Sequence, residues 1–132
     1  MAFGSQLERH VVAYMDHDPA ADDVLPVFRA SKDCEVLRAY AIVTNDVAAS
    51  TDNYFALNLL NGGSAGTATT AISGTIGGTA GWTGLLPVDF TISQGTLTAG
   101  DVVVVNYDET GTGTFGSMVI QLDIVDGIGA DA

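Results

Sequence analysis

The chain has 132 residues, 47% of them hydrophobic, and its 16 Asp and Glu against four Lys and Arg give a net charge of −12. So acidic a surface repels phosphates, which need clustered Lys and Arg, so nucleic acid is not an expected partner. No apolar run approaches the ~18 residues of a membrane helix, and the single Cys34 cannot close an internal disulfide.

At this size one domain is expected, with a folded surface of roughly 6,500 Å² against roughly 19,600 Å² unfolded, enough burial for a core without staples. The opening MAFGSQLERH lacks the charged start and long apolar run of a signal peptide, and with a single cysteine a reducing cytoplasm at synthesis is acceptable. The charge is unevenly spread. Arg9, Arg29, Lys32 and Arg38 all lie in the first 38 positions, with seven acids (net −3), while residues 39–132 carry nine acids and no Lys or Arg (net −9).

Residues 1–23 read as an N-terminal arm. Ser5 to Glu8 has capping-box spacing, and Leu7, Val11 and Met15 would share a helix face, but HVVAYM favours a strand, so both readings stay open. Asp18-Pro19 ends whatever precedes it.

Residues 24–126 read as the sandwich domain. Val24–Arg29 is a short segment whose Pro26 belongs at an edge or bulge. Glu35–Thr44 is apolar on both faces, as a covered strand would be. Asn53–Asn61 puts Phe55, Leu57 and Leu59 on one face and ends at the turn signal Asn61-Gly62.

Gly62–Gly84 has eight glycines in 23 residues; Thr67–Ile76 is a possible small-residue strand, followed by a flexible loop that Trp82 should dock on the domain. Leu86, Val88, Phe90 and Ile92 then alternate with polar residues, and Leu97 plugs the core. The expected buried set is Leu57, Phe90, Ile92, Val104, Ile120 and Leu122.

The stretch Leu97–Val125 reads as a β-hairpin: a Gly100-Asp101 turn, the valines 102–105, a loop at Asp108–Thr114 and a return strand from Phe115. Pairing Tyr107 with Phe115 leaves Val103, Val105, Tyr107, Phe115 and Val119 on the face away from the core, an expected self-association surface. Residues 127–132 form a tail that should fray. The expected fold is all-β: an antiparallel β-sandwich or jelly roll of six to eight strands with an N-terminal arm.

Sites for chemistry are sparse. Asp16, His17, Asp18, Asp22 and Asp23 cluster in sequence but match neither an EF-hand nor a two-histidine zinc pattern, and a solvated acidic link is the expected role. Cys34 sits between Asp33 and Glu35, which oppose a thiolate. Asp108 and Glu109 are adjacent turn residues, and no phosphate-cradling loop is present. No catalytic residue, cofactor or metal is expected.

The succession VFRASKDCEVLRAYAIV, NYFALNLLNGG, FTISQGTLTAGDVVVVNYDETGTGT and MVIQLDIV, covering about residues 24–125, resembles the capsid decoration (cement) proteins and related head-fibre β-sandwich proteins of tailed bacteriophages. A similar Gly-Asp turn into a strand occurs in trimeric C1q/TNF-like jelly rolls. The phage resemblance implies a non-enzymatic structural protein of the capsid exterior, a homotrimer bound to the major capsid protein, with no membrane role. The alternative is a receptor- or carbohydrate-binding fibre module, which needs an exposed aromatic patch around Trp82. Leu7, Arg9, Val11, Val12, Tyr14, Met15, Arg29 and Lys32 are expected to form a capsid-docking arm, combining apolar anchors with positive charge.

Overall fold

The computed structural model describes residues 8–15, 22–112 and 115–126. Ten strands are present: β1 (Glu8–Met15), β2 (Asp23–Arg29), β3 (Cys34–Val43), β4 (Tyr54–Asn61), β5 (Thr70–Ala71), β6 (Ile76–Gly77), β7 (Val88–Phe90), β8 (Thr96–Leu97), β9 (Val102–Thr110) and β10 (Met118–Asp126). One sheet runs β1-β10-β3-β7, with β8 also on β3; the other runs β2-β9-β4-β5, with β6 also on β4. All pairings are antiparallel.

Because β5 and β6 share one position and β7 and β8 another, the ten strands fill eight places, four in each sheet. First pairs with last, second with second-last, and so inward to β4 with β5 and β6. The chain is folded double and wrapped, which is the jelly-roll arrangement of a β-sandwich. The accessible surface of 6675 Å² is close to the size expected for a packed chain of this mass.

Alternation built the sandwich. Phe55, Leu57 and Leu59 of β4, Val103, Val105 and Tyr107 of β9, and Met118, Ile120, Leu122 and Ile124 of β10 all point into the space between the sheets and are buried. The plug at Leu97 is fully buried. Five of the six expected core residues are buried; Ile92 is only half-buried and packs against the core edge.

The expected hairpin of residues 97–125 is not formed. β9 and β10 lie in different sheets: β9 is flanked by β2 and β4, and β10 by β1 and β3. Local turn chemistry permits a hairpin or an arch between sheets equally well, and the two-sided apolar character of β9 decides for the arch. Pairing with β10 would have left Val103, Val105 and Tyr107 uncovered. Phe115 precedes the return strand and is buried in the core.

Residues 8–15, expected within an arm, are instead the edge strand of the first sheet, in unbroken register with β10 from Glu8↔Val125 to Met15↔Met118. Alternation explains the choice: Val11, Ala13 and Met15 face inward and pack against the core. Leu7, Asp16, His17, Asp18 and residues 127–132 lie outside the described residues.

Pro26 sits on an edge strand beside a register shift, as its missing N–H requires. The two-faced pattern of β3 has a local cause. A bulge leaves Leu37 unpaired, since Asp123 faces Arg38 while Ile124 faces Val36, and Leu37 and Arg38 both emerge on the solvent side. Of the possible strand at 67–76 only Thr70–Ala71 is formed, with Ile76 opening β6.

Candidate functional site

The outer face of the β1-β10-β3-β7 sheet collects the chain's most unusual surface chemistry. Two parts are set by register. At one end of the sheet, Glu8 and His10 of β1, Asp123 of β10 and Arg38 of β3 lie side by side across three strands. His10 Nδ1 is 2.6 Å from Asp123 Oδ1. Arg38 donates from Nε to Asp123 Oδ2 at 3.2 Å and from Nη2 to Glu8. Gln121 Nε2 donates to Asp123 at 2.9 Å.

Burial alone would raise the Asp123 carboxyl; hydrogen bonds from Gln121, His10 and Arg38 outweigh it and hold the group below its ordinary range. Those two carboxylates in turn hold the Arg38 guanidinium charged well above its ordinary range, the Glu8 hydrogen bond contributing most. At the same end of the sheet but on its inner side, where Arg9 pairs with Ile124 and Asp126 with Cys34, Asp126 takes Arg9 at 2.6 Å and Lys32 at 3.5 Å. At Asp126 too, burial is the largest influence and raises the carboxyl, but Arg9 and Lys32 together keep it lowered.

Glu8, His10 and Asp123 place ligand atoms within 4.8 Å of one another, a spacing open to a metal. The guanidinium of Arg38 already occupies the gap between the carboxylates, and a cation there would have to displace a charge of its own sign. The arrangement does structural work: it fastens edge strand β1 to β10 and β3.

At the other end of the same face the surface is apolar. Tyr14, Val119 and Ile42 form one row across three strands. Beyond them the ladder Tyr40↔Asp89, Ala41↔Val88 ends, and the chain before β7 is held by Leu85 N–H on Val43 O. Val12 and Tyr14 at the β1 edge are 60% and 64% exposed, and Leu85 and Leu86 at the β7 edge 72% and 54%.

Leu85 is the only described non-glycine residue with positive φ, at +64°. It occupies the third place of a turn closed by Leu86 N–H to Thr83 O at 3.3 Å, the place glycine or asparagine usually takes. Its own N–H is fixed to Val43 O at 2.7 Å, and Gly84 N–H to Asp46 Oδ1 at 2.7 Å. A strained leucine with its side chain in water is costly for a fold, of the order of 1 kcal/mol. Alternation had assigned Leu86 to the core face; this turn carries it out of the ladder before β7 begins.

The residues expected to act fall into three groups. Of the described residues of the docking arm, Arg9 and Lys32 are committed to Asp126, Val11 and Met15 face the core, Arg29 is exposed at the end of β2, and Val12 and Tyr14 offer apolar surface. Of the self-association set, Val103, Val105, Tyr107 and Phe115 are inside the sandwich, and Val119 is half-buried in the apolar row. That face does not exist as expected, because the hairpin that defined it is not formed.

Trp82 is buried, stacked on Phe55 at 5.0 Å and 12°, with Nε1 donating to Phe55 O at 3.3 Å, so no exposed aromatic patch forms around it. Burial, then Asp126 and Asp33, push the Cys34 thiol up, away from reactivity. Asp22 accepts from Glu109 N–H and Asp23 from Val24 N–H, both as loop and strand-end contacts.

A shallow depression of about 450 Å³ at one end of the sandwich is lined by Asp46, Ser50, Asn53 and Thr112 among others. Its polar atoms hold turns together: Ser50 Oγ accepts from the N–H groups of Asp52 and Asn53, and Asn53 Oδ1 from that of Thr112. The Glu8–His10–Asp123–Arg38 cluster escaped sequence reading because its three strands are far apart in the chain, His10 and Asp123 by 113 residues; the alternating polar Gln121 and Asp123 were a local hint. No protein-family model matches this chain, and no curated protein does.

Proposed function

We propose that this chain is a non-enzymatic structural protein of a bacteriophage virion, seated on the capsid exterior against the major capsid protein. The resemblance of residues 24–125 to capsid decoration proteins motivates the reading, and a jelly-roll sandwich agrees with it while being shared by many functions. The observation that carries it is the Leu85–Leu86–Pro87 turn, an apolar tip kept in water at the cost of backbone strain. Strain of this kind concentrates where a protein makes contact with something else. Docking there moves the attachment surface from the arm to the β7 edge, with Ile42 and Val119 extending it.

The test is co-sedimentation with empty capsids. Replacing Leu85 by Gly and Leu86 by Ser should leave a folded protein that decorates capsids poorly; unchanged saturation by that variant would refute the docking surface. Imaging purified virions for density matching this sandwich tests the virion role itself.

A further inference from the structure

The two sheets have four edges, and among the described residues three are guarded against pairing with another chain. β2 carries Pro26 and a register shift before Phe28. The edges opposite are broken into β5 with β6 and β7 with β8, each only two or three residues long. Short strands, proline and bulges are the usual devices that blunt an edge. β1 has none of them. It runs for eight residues in continuous register, without proline or lysine, and β10 is its one strand partner. Its outer edge presents a row of backbone donors and acceptors flanked by exposed Val12 and Tyr14.

We propose that this edge pairs antiparallel with β1 of a second copy of the chain, about a two-fold axis through Val12. Side chains opposite each other across an antiparallel pair share a face, so only registers that match outward residues with outward ones are allowed. Centring on Val12 sets Val12 against its own copy and Tyr14 against the second copy's His10 on the outer face, with Val11 against Ala13 on the inner one. Centring on Val11 would set the Tyr14 ring against the Glu8 carboxylate, and centring on Ala13 would pair only residues 11–15 of the strand.

Charge favours the same place. Two chains of net charge −12 repel, but beside β1 the cations Arg9, Lys32 and Arg38 are paired with the carboxylates Glu8, Asp123 and Asp126, and these six charges cancel. The fourth cation, Arg29, lies on the other sheet. The pair is isologous and uses the β1 edge of both copies, so it closes at two.

Sedimentation velocity of the full chain alone, with no capsid present, tests this independently of the virion reading. A pair built on seven residues a side is smaller than the standard interface of about 1,600 Å², so a weak monomer–dimer equilibrium is expected, populated at high micromolar concentration. Val12→Lys, and Tyr14→Lys as a second variant, should weaken it by at least about tenfold without changing the melting curve. Val12→Cys should link to itself under mild oxidation, because paired strands hold Cα atoms about 4.5–5.5 Å apart, within disulfide reach, whereas the native Cys34 is buried. A protein monomeric at high micromolar concentration, a trimer, a dimer indifferent to both lysine variants, or a Val12→Cys protein that does not cross-link would each overturn the proposal.

Discussion

Phe55 of β4 and Trp82 of the glycine-rich segment lie face to face, 5.0 Å between centroids, and the Phe55 ring also meets Tyr107 at 5.3 Å and Phe115 at 5.2 Å. The indole therefore closes one end of the sandwich, and it is the reason a segment so rich in glycine is ordered. Gly77 makes room for it: a Cβ there would stand 2.4 Å from the ring. Gly77 also has φ +83°, so Gly77→Ala suffers twice. Trp82→Ala should destabilise by about 3–5 kcal/mol in denaturant melts, and Gly77→Ala should shift the tryptophan emission towards that of exposed indole.

Ile120 tests the assignment of the core. It is fully buried on the central strand of its sheet, and Ile120→Ala should cost roughly 2–5 kcal/mol. A loss under about 0.5 kcal/mol would mean that β10 presents its other face.

Leu85 should behave in the opposite way. Leu85→Gly relieves the positive φ but adds freedom to the unfolded chain, and the two effects nearly offset, so stability should stay within about 1 kcal/mol of the parent. A larger loss would show that Leu85 serves the fold rather than a contact beyond it.

Acid should loosen the β1 side of the molecule first. The Asp123 and Asp126 carboxyls titrate below their unfolded values, so the folded state binds fewer protons there. Their contribution is complete above the unfolded value of about 3.9 and is lost as pH falls through the lower folded values. Thermal melts should fall as the pH drops below about 4, and Asp123→Asn should flatten that slope while lowering stability at neutral pH. An unchanged slope would place the acid sensitivity elsewhere.

Cys34 offers a check on burial that needs no variant. Its thiol is sealed beneath Leu97, its partner across the β3–β8 pairing, and raised in pKa. A thiol reagent should label it only at the rate of unfolding, and rapid labelling of the native protein would contradict the packing of β3.

The strands with one clean apolar face were legible from sequence. β4 and β10 stand where their alternation placed them, because a period-two pattern has only one way to bury itself. Partnership was not legible. Whether β9 folds back on β10 or arches to the other sheet depends on what covers Val103, Val105 and Tyr107, and that cover comes from the core residues of the facing sheet, with Phe55 and Phe115 against Tyr107. The arm was misplaced for a related reason: HVVAYM is ambiguous alone and becomes a strand only once β10 offers it an edge. Leu85 was invisible because a strained leucine looks like any other leucine in a sequence.

The doubled-back path of the chain bears on how it is made. In the sheet that carries β1, the strand next to it is β10, and β3 lies on the far side of β10. While a ribosome is still adding residues 118–126, the two oldest members of that sheet have nothing between them to hold on to. β2 waits in the same way for β9. Before β9 is made, only the short pairings of β4 with β5 and β6 and of β3 with β7 and β8 are available. Non-local pairing of this sort slows folding and leaves apolar strands uncovered meanwhile. The strong negative charge of residues 39–132 would then serve the nascent chain, keeping neighbouring copies on a polysome apart until the last strand slides into the middle of its sheet.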